Sequence, residues 1–258
     1  MSDGGRLRGR TAVVSGAGGG IGRGIALALA AEGANVVIAA RRLLTGEQTA
    51  AMIRAERGEA LALQCDVAEQ QQVAATIAAA VAAYGALDIV VHNANASDSA
   101  MPIALEAITD ENWQTQAAVA WDAAFFLAQA AHRHLKDSGR GRFIVLGSCF
   151  GLHGAAMNPI YAALKGGDRG LVKALAREWG GDGITVNAVE PAAATEPTEV
   201  FFNQHPEVRA KYLSNFPMAR MGRPREDIGR AVAALCSDDF GFITAQSIQV
   251  DGGLYTAL

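Results

Sequence analysis

Cysteine is scarce in this chain. Cys65, Cys149 and Cys236 stand far apart and form no C-x-x-C pair. A disulfide framework is thereby excluded, a thiolate zinc site is disfavoured, and a reducing cytoplasmic setting is favoured over secretion. Charge of one sign is scarce too: 22 Lys and Arg against 26 Asp and Glu leave a net charge of −4. No electrostatic case follows for a nucleic-acid partner or an anionic membrane. Long apolar runs are missing. The longest uncharged stretch, Gln70 to Leu87, is mostly alanine with glutamine and threonine among it, too weakly apolar to span a membrane. Arg6, Arg8 and Arg10 precede the first glycine loop without an unbroken apolar segment, so no signal peptide is expected. His132 and His134, two apart on an expected helix, face different ways, and no metal site is expected.

Half the residues are hydrophobic, and they alternate between two patterns. Short β-branched runs read as strands at Thr11–Ser15, Asn35–Ala39, Ala60–Gln64, Ile89–His92, Phe143–Leu146, Thr185–Val189 and Ser247–Val250. Helical patterns lie between them, near Glu47–Arg57, Gln70–Tyr84, Asp110–Ala131, Pro159–Trp179 and Arg225–Leu235, after a first helix that Gly33 stops. Thr109 is a candidate cap, with Asn112 close by. Strands apolar on both faces and alternating with helices predict one α/β domain over 1–258. Its core is a doubly wound parallel sheet of about seven strands with helices on both faces, a Rossmann fold. The segment 192–224 lacks this rhythm and carries Phe201, Phe202, Tyr212, Phe216, Met218 and Met221. It reads as a substrate lid.

The first strand runs into Ser15-Gly-Ala-Gly-Gly-Gly-Ile-Gly22 and then into a helix. Glycines at 16, 18, 20 and 22, with Ile21 among them, let the backbone turn sharply and approach a ligand. The helix N-terminus behind offers free N–H groups to a pyrophosphate. The second strand ends Ala40-Arg41-Arg42, without the carboxylate that would hold ribose hydroxyls. Two guanidiniums suit a 2′-phosphate, which favours NADP(H) over NAD(H). Asp66, followed by Val67, ends the third strand, where it can meet the adenine edge or cap the next helix. Tyr161 and Lys165, four apart, share one helix face. An ammonium there favours a phenolate, and a tyrosine so placed can exchange a proton near neutral pH. Ser148, at the end of the fifth strand, offers a hydroxyl to a substrate oxygen.

Together these residues resemble the short-chain dehydrogenase/reductase family from about Gly9 to Gly253. The family's glycine loop is Ser15 to Gly22. Its aspartate is Asp66, its N-N-A-G motif His92-Asn93-Ala94-Asn95, and its catalytic serine Ser148. Its Y-x-x-x-K is Tyr161 to Lys165, its strand asparagine Asn187, the following proline Pro191, and its V-D-G-G Val250 to Gly253. The resemblance implies Tyr161 as proton donor, Ser148 orienting the carbonyl, and Lys165 holding the nicotinamide ribose. It places Asn93, Ala94, Tyr161, Lys165, Pro191 and Thr195 along the cofactor. It also implies a homo-oligomer, a tetramer built on the alanine-rich long helices. Four positions depart from the pattern: Ala120 replaces an asparagine that helps to hold a relay water, Asn95 and Ala192 replace glycines, and Glu196 replaces a threonine.

The function expected from these residues is hydride transfer between NADP(H) and a ketone or secondary alcohol, with the aromatic lid favouring a mostly apolar small molecule. The four departures motivate an alternative, a non-catalytic nucleotide-binding sensor or structural subunit on the same fold. His92 reads as a satisfied core histidine, and His153, Met157 and Asn158 as candidates for the pocket wall.

Overall fold

A computed structural model describes residues 5–97, 99 and 101–255. The ends of the expected 1–258 unit therefore lie outside the described residues. Seven parallel strands form one sheet in the order β3-β2-β1-β4-β5-β6-β7. They are β1 (Thr11–Ser15), β2 (Asn35–Ala40), β3 (Ala60–Gln64), β4 (Ile89–His92), β5 (Arg142–Leu146), β6 (Thr185–Pro191) and β7 (Ser247–Val250). Strand residues alternate between two apolar layers. Ala12, Val14, Val36, Ile38, Ile89, Val91 and Ile144 enter one core cluster. Val13, Val37, Val90, Phe143 and Val145 enter the other. A strand buried on both faces must be apolar at every position, which is why these runs do not read as amphipathic.

Helices α1 (Gly20–Ala31) and α2 (Leu43–Ala55) cover the first layer through Ile25, Leu29 and Ile53. Helices α3 (Gln70–Tyr84), α5 (Ala123–Asp137) and α7 (Pro159–Trp179) cover the second through Val73, Ile77, Leu127, Val172 and Trp179. The strand order reverses between β1 and β4. At such a switch point the helices diverge to opposite faces and leave a crevice at the carboxyl ends of the strands.

Several elements differ from the sequence reading. Helix α2 begins at Leu43, four residues before the expected Glu47, with Arg42 as its extended N-cap. Gly46 lies inside it, where a Cβ would come within 3.3 Å of the Ala40 side chain. The expected Asp110–Ala131 helix extends to Asp137 and is interrupted. It comprises α4 (Asp110–Ala117), a wide π turn at Ala118–Asp122, and α5. Thr109 does cap it, in a reciprocal box with Asn112. A π turn (Pro224–Gly229) likewise precedes α10 (Arg230–Leu235). It lies so close to α1 that a Cβ on Gly24 would strike the Pro224 carbonyl group. A short helix, α6 (Phe150–His153), stands between β5 and α7. The 192–224 segment is not irregular throughout. It holds α8 (Glu196–Gln204) and α9 (Pro206–Leu213), and Ala194 N–H to Gly222 O (2.9 Å) and Gly222 N–H to Ala192 O (2.9 Å) tie its ends. Among the described residues no helix is long and apolar enough to cross a membrane.

His92 meets the π turn. Its Nε2 lies 3.0 Å from the Ala120 carbonyl and its Nδ1 3.1 Å from Ser15 Oγ. A carbonyl only accepts, so Nε2 carries the proton and the bare Nδ1 accepts from the Ser15 hydroxyl. The ring is thus buried, neutral and satisfied. Burial, reinforced by the nearby Lys165 ammonium, lowers its pKa from 6.5 to about 3. The unfolded chain binds a proton there below about 6.5 and the folded protein does not, so stability falls as pH drops through this window. At pH 5 the loss is on the order of 2 kcal/mol. Urea midpoints measured between pH 7 and pH 5 should show this acid limb in the wild type and a flatter one in His92→Asn. Parallel curves for the two proteins would refute the assignment.

Candidate active site

The glycine turn after β1 is shaped by close approach. Gly16 has φ of +65°, and a Cβ there would sit 2.8 Å from Ala94 Cα. A Cβ on Gly22 would run into the Asn93 side-chain amide. Asn93 Nδ2 donates to Ser15 O (3.1 Å) and Gly16 O (3.2 Å), while Ser15 Oγ accepts from the N–H groups of Asn93 and Ala94. The ends of β1 and β4 are thereby locked together around the turn. No side chain caps α1, and its N-cap, Gly19, is extended, so the first-turn N–H groups are left for a ligand.

Beside this turn, at the β1/β4 switch point, lies a cleft of about 320 Å³. Gly16 and Gly18 form one wall, Arg41 and Arg42 another, and Asp66 with Val67 and Asn93 with Ala94 the rest. Arg41 and Arg42 are exposed, and among the described residues neither guanidinium has an ion-pair partner. Asp66 Oδ1 accepts the Ala68 N–H at 3.1 Å, a local turn that leaves its other oxygen for a donor. Donors from the backbone, two free cations and one carboxylate suit an anionic ligand with a polar ring at its end. Thr45, Ser97, Thr115 and Val119 also line the cleft. No motif marks them, because they come from three separate segments.

The remaining expected cofactor residues stand apart from this cleft. Ile21 packs on the core. Pro191 ends β6, and Thr195 is the N-cap of α8. The Thr195 methyl lies 3.6 Å from where a Cβ on Gly20 would stand, which sets the start of α8 over the glycine turn. Glu196 pairs there with Arg23 at 3.4 Å, and Arg23 donates to Gly18 O at 2.6 Å. This carboxylate at the mouth of the turn was not anticipated as a contact.

Ser148, Tyr161 and Lys165 are assembled by α6 leaning on α7. Gly151 lies so close that a Cβ there would meet the Lys165 carbonyl carbon. Phe150 bridges the other two: its N–H donates to Ser148 Oγ (3.2 Å), and its ring meets Tyr161 edge-on at 6.1 Å. Lys165 Nζ stands 5.7 Å from the centre of the Tyr161 ring. The ammonium is buried and donates to Leu146 O (2.7 Å) and to Asp168 Oδ2 (3.1 Å). Asp168 was not anticipated, although the i,i+3 spacing from Lys165 was visible. At the Ala120 position no side chain reaches Lys165. Instead Trp121 Nε1–H donates to Leu164 O at 2.8 Å, holding α7 to the π turn. Asn95 keeps its turn without left-handed angles, its amide donating to Asn93 O at 3.2 Å. Asn187 pins β6 to the loop before β7 through Ile243 O and Gln246 N–H. Of the pocket candidates, His153 stacks on Tyr255 at 5.0 Å, Met157 is exposed, and Asn158 is buried and bonded to Ser99 O.

A family model described as Enoyl-(Acyl carrier protein) reductase matches residues 16–255. The chain is 33% identical over 253 residues to a 12alpha-hydroxysteroid dehydrogenase of a Clostridium species, covering 95% of this chain and 96% of that one. It is 36% identical over 253 residues to the 3-oxoacyl-(acyl-carrier-protein) reductase FabG of Haemophilus influenzae, covering 96% and 99%. A solved structure of a putative short-chain alcohol dehydrogenase from Sinorhizobium meliloti superposes with a TM-score of 0.89 at 35% identity, covering 96% of this chain and 97% of that one. With the switch-point cleft, the glycine turn and the Ser148, Tyr161 and Lys165 assembly, these likenesses show that the chain belongs to the short-chain dehydrogenase/reductase family, oxidoreductases that act on carbonyl and alcohol groups with a nicotinamide dinucleotide.

Proposed function

We propose that the chain transfers a hydride between NADP(H) and a ketone or secondary alcohol of mostly apolar character. The observation that carries the reading is the juxtaposition of Ser148, Tyr161 and a buried Lys165 around α6 and α7. The Ser148 hydroxyl orients the substrate oxygen, and Tyr161 gives or takes its proton. The Lys165 ammonium favours the phenolate form of its neighbour. The bound nicotinamide supplies the hydride chemistry, and the protein supplies position and polarity. Gly16 to Gly22 and the open end of α1 would hold the pyrophosphate, with Asp66, Val67, Asn93 and Ala94 along the adenosine. Pro191 and Thr195 would border the nicotinamide end.

The choice of NADP(H) rests on Arg41 and Arg42, both exposed at the cleft and without an ion-pair partner among the described residues. The apolar substrate rests on 192–224 as a lid. There Phe202, Tyr212 and Phe216 form a packed aromatic cluster, while Phe201 and Met218 remain exposed. The hydroxysteroid and 3-oxoacyl groups in the relatives' names are of that character. Trp113, Trp121 and Phe125 expose apolar surface around the π turn, which fits burial in a homo-oligomer, a tetramer in this reading. The free cysteines fit a cytoplasmic setting.

Two measurements test this. Tyr161→Phe should lower turnover of any ketone or alcohol found in a screen by about 10²-fold or more while leaving dinucleotide affinity intact. Turnover equal to wild type would remove Tyr161 as the proton donor, and no turnover of any compound in the screen would return the sensor or structural-subunit alternative. By calorimetry NADPH should bind more tightly than NADH, and Arg41→Ala should weaken NADPH alone by about 10–100-fold. Equal affinities would remove the NADP(H) assignment.

A further inference from the structure

Asp168 is the one acidic group in contact with the Lys165 ammonium among the described residues, and it is wholly buried. Its Oδ2 lies 3.1 Å from Lys165 Nζ, and its Oδ1 has no hydrogen-bond partner. Burying a carboxylate with an unmet oxygen is costly, and a packed apolar residue would serve helix α7 better in stability alone. Resting on the catalytic reading above, we propose that Asp168 is a positioning residue for the reaction. It anchors the Lys165 ammonium and shares its charge, so Tyr161 faces a Lys165–Asp168 pair and not a free cation.

The geometry leaves little else to play this part. Lys165 has three N–H bonds, of which Leu146 O takes one and Asp168 Oδ2 another. The third remains for a ligand or for Tyr161. Ala120 has no polar side chain to share the load. Other titratable groups on the packed elements are engaged elsewhere, His153 of α6 by stacking on Tyr255. His92 of β4 is held neutral between Ser15 and Ala120. Arg169, next to Asp168, is paired with Glu190 of β6 at 2.8 Å. Cys149, at the start of α6, has its thiol pushed up by burial and so stays uncharged near neutral pH. Burial also pushes the Asp168 carboxyl up, and Lys165 draws it back. Ionised, the carboxylate offsets the ammonium and weakens its hold on a phenolate.

The test is an ultraviolet titration of tyrosinate in the whole protein, with Tyr161→Phe subtracted to isolate one residue. The background is favourable, since burial pushes up the phenols of Tyr84, Tyr212 and Tyr255. In Asp168→Asn the Tyr161 midpoint should fall by about one pH unit, a roughly tenfold rise in the phenolate ratio at a given pH. The alkaline limb of alcohol oxidation should move with it. A midpoint equal to wild type, with only stability or turnover lost, would overturn the proposal and leave Asp168 a packing residue. Should Asp168→Asn not fold, Asp168→Ser keeps an acceptor for the ammonium without the charge and is read by the same criterion. Lys165→Met separates the two layers of the argument. If it leaves the Tyr161 midpoint unmoved, the catalytic reading itself fails. If it raises the midpoint while the Asp168 variants do not move it, only the present inference fails.

Discussion

Ser15 Oγ accepts the N–H groups of Asn93 and Ala94 and donates to His92, and Asn93 returns two bonds to the backbone of the glycine turn. This knot joins the carboxyl ends of β1 and β4, the two strands between which the sheet order reverses. Helices leave the two strands toward opposite faces, and beyond the last ladder pair, Val14 with Val91, this knot holds their ends together. The cleft, the free end of α1 and the π turn all take their positions from it. Because His92 passes the knot on to the Ala120 carbonyl, the same interaction reaches the helix that packs against Lys165.

From there the arrangement is carried by small residues and a few directed bonds. Trp121 reaches across to Leu164 O and lies over Gly167, where a side chain would collide with its ring. Gly151 lets α6 touch the backbone of α7 at Lys165. The Gly151 contact sets the segment after Ser148 against the helix that carries Tyr161 and Lys165, although thirteen residues separate the first two. The buried ammonium then needs acceptors, and it finds them in a carbonyl at the end of β5 and in Asp168. Both acceptors offset part of the cost of burying the ammonium within α7.

Much of this was legible in the chain itself. Six helix and strand spans, β1, β3, α3, β4, α7 and β7, match the sequence reading at both ends, and each has a glycine, proline or charged residue at one boundary or more. Others moved for identifiable reasons. The helix expected from Glu47 begins at Leu43, and Gly46 within it packs closely on Ala40. The uninterrupted periodicity of Asp110–Ala131 concealed a π turn, since a bulge changes the hydrogen bonds without changing the residue types. The 192–224 segment read as irregular because its two helices, of 9 and 8 residues, are too short to show a period.

The glycine turn, the arginines after β2 and the Tyr161–Lys165 spacing are local features, and local sequence sets local backbone and helix-face geometry directly. The fold class follows in the same way from alternating periods. What required the folded chain were contacts between segments far apart: His92 with Ala120, Glu196 with Arg23, Trp121 with Leu164, and the burial that makes Asp168 answerable to Lys165. A side chain's desolvation and its distant partners depend on how whole elements pack, and that packing is decided by the sum of many weak contacts that no single motif records.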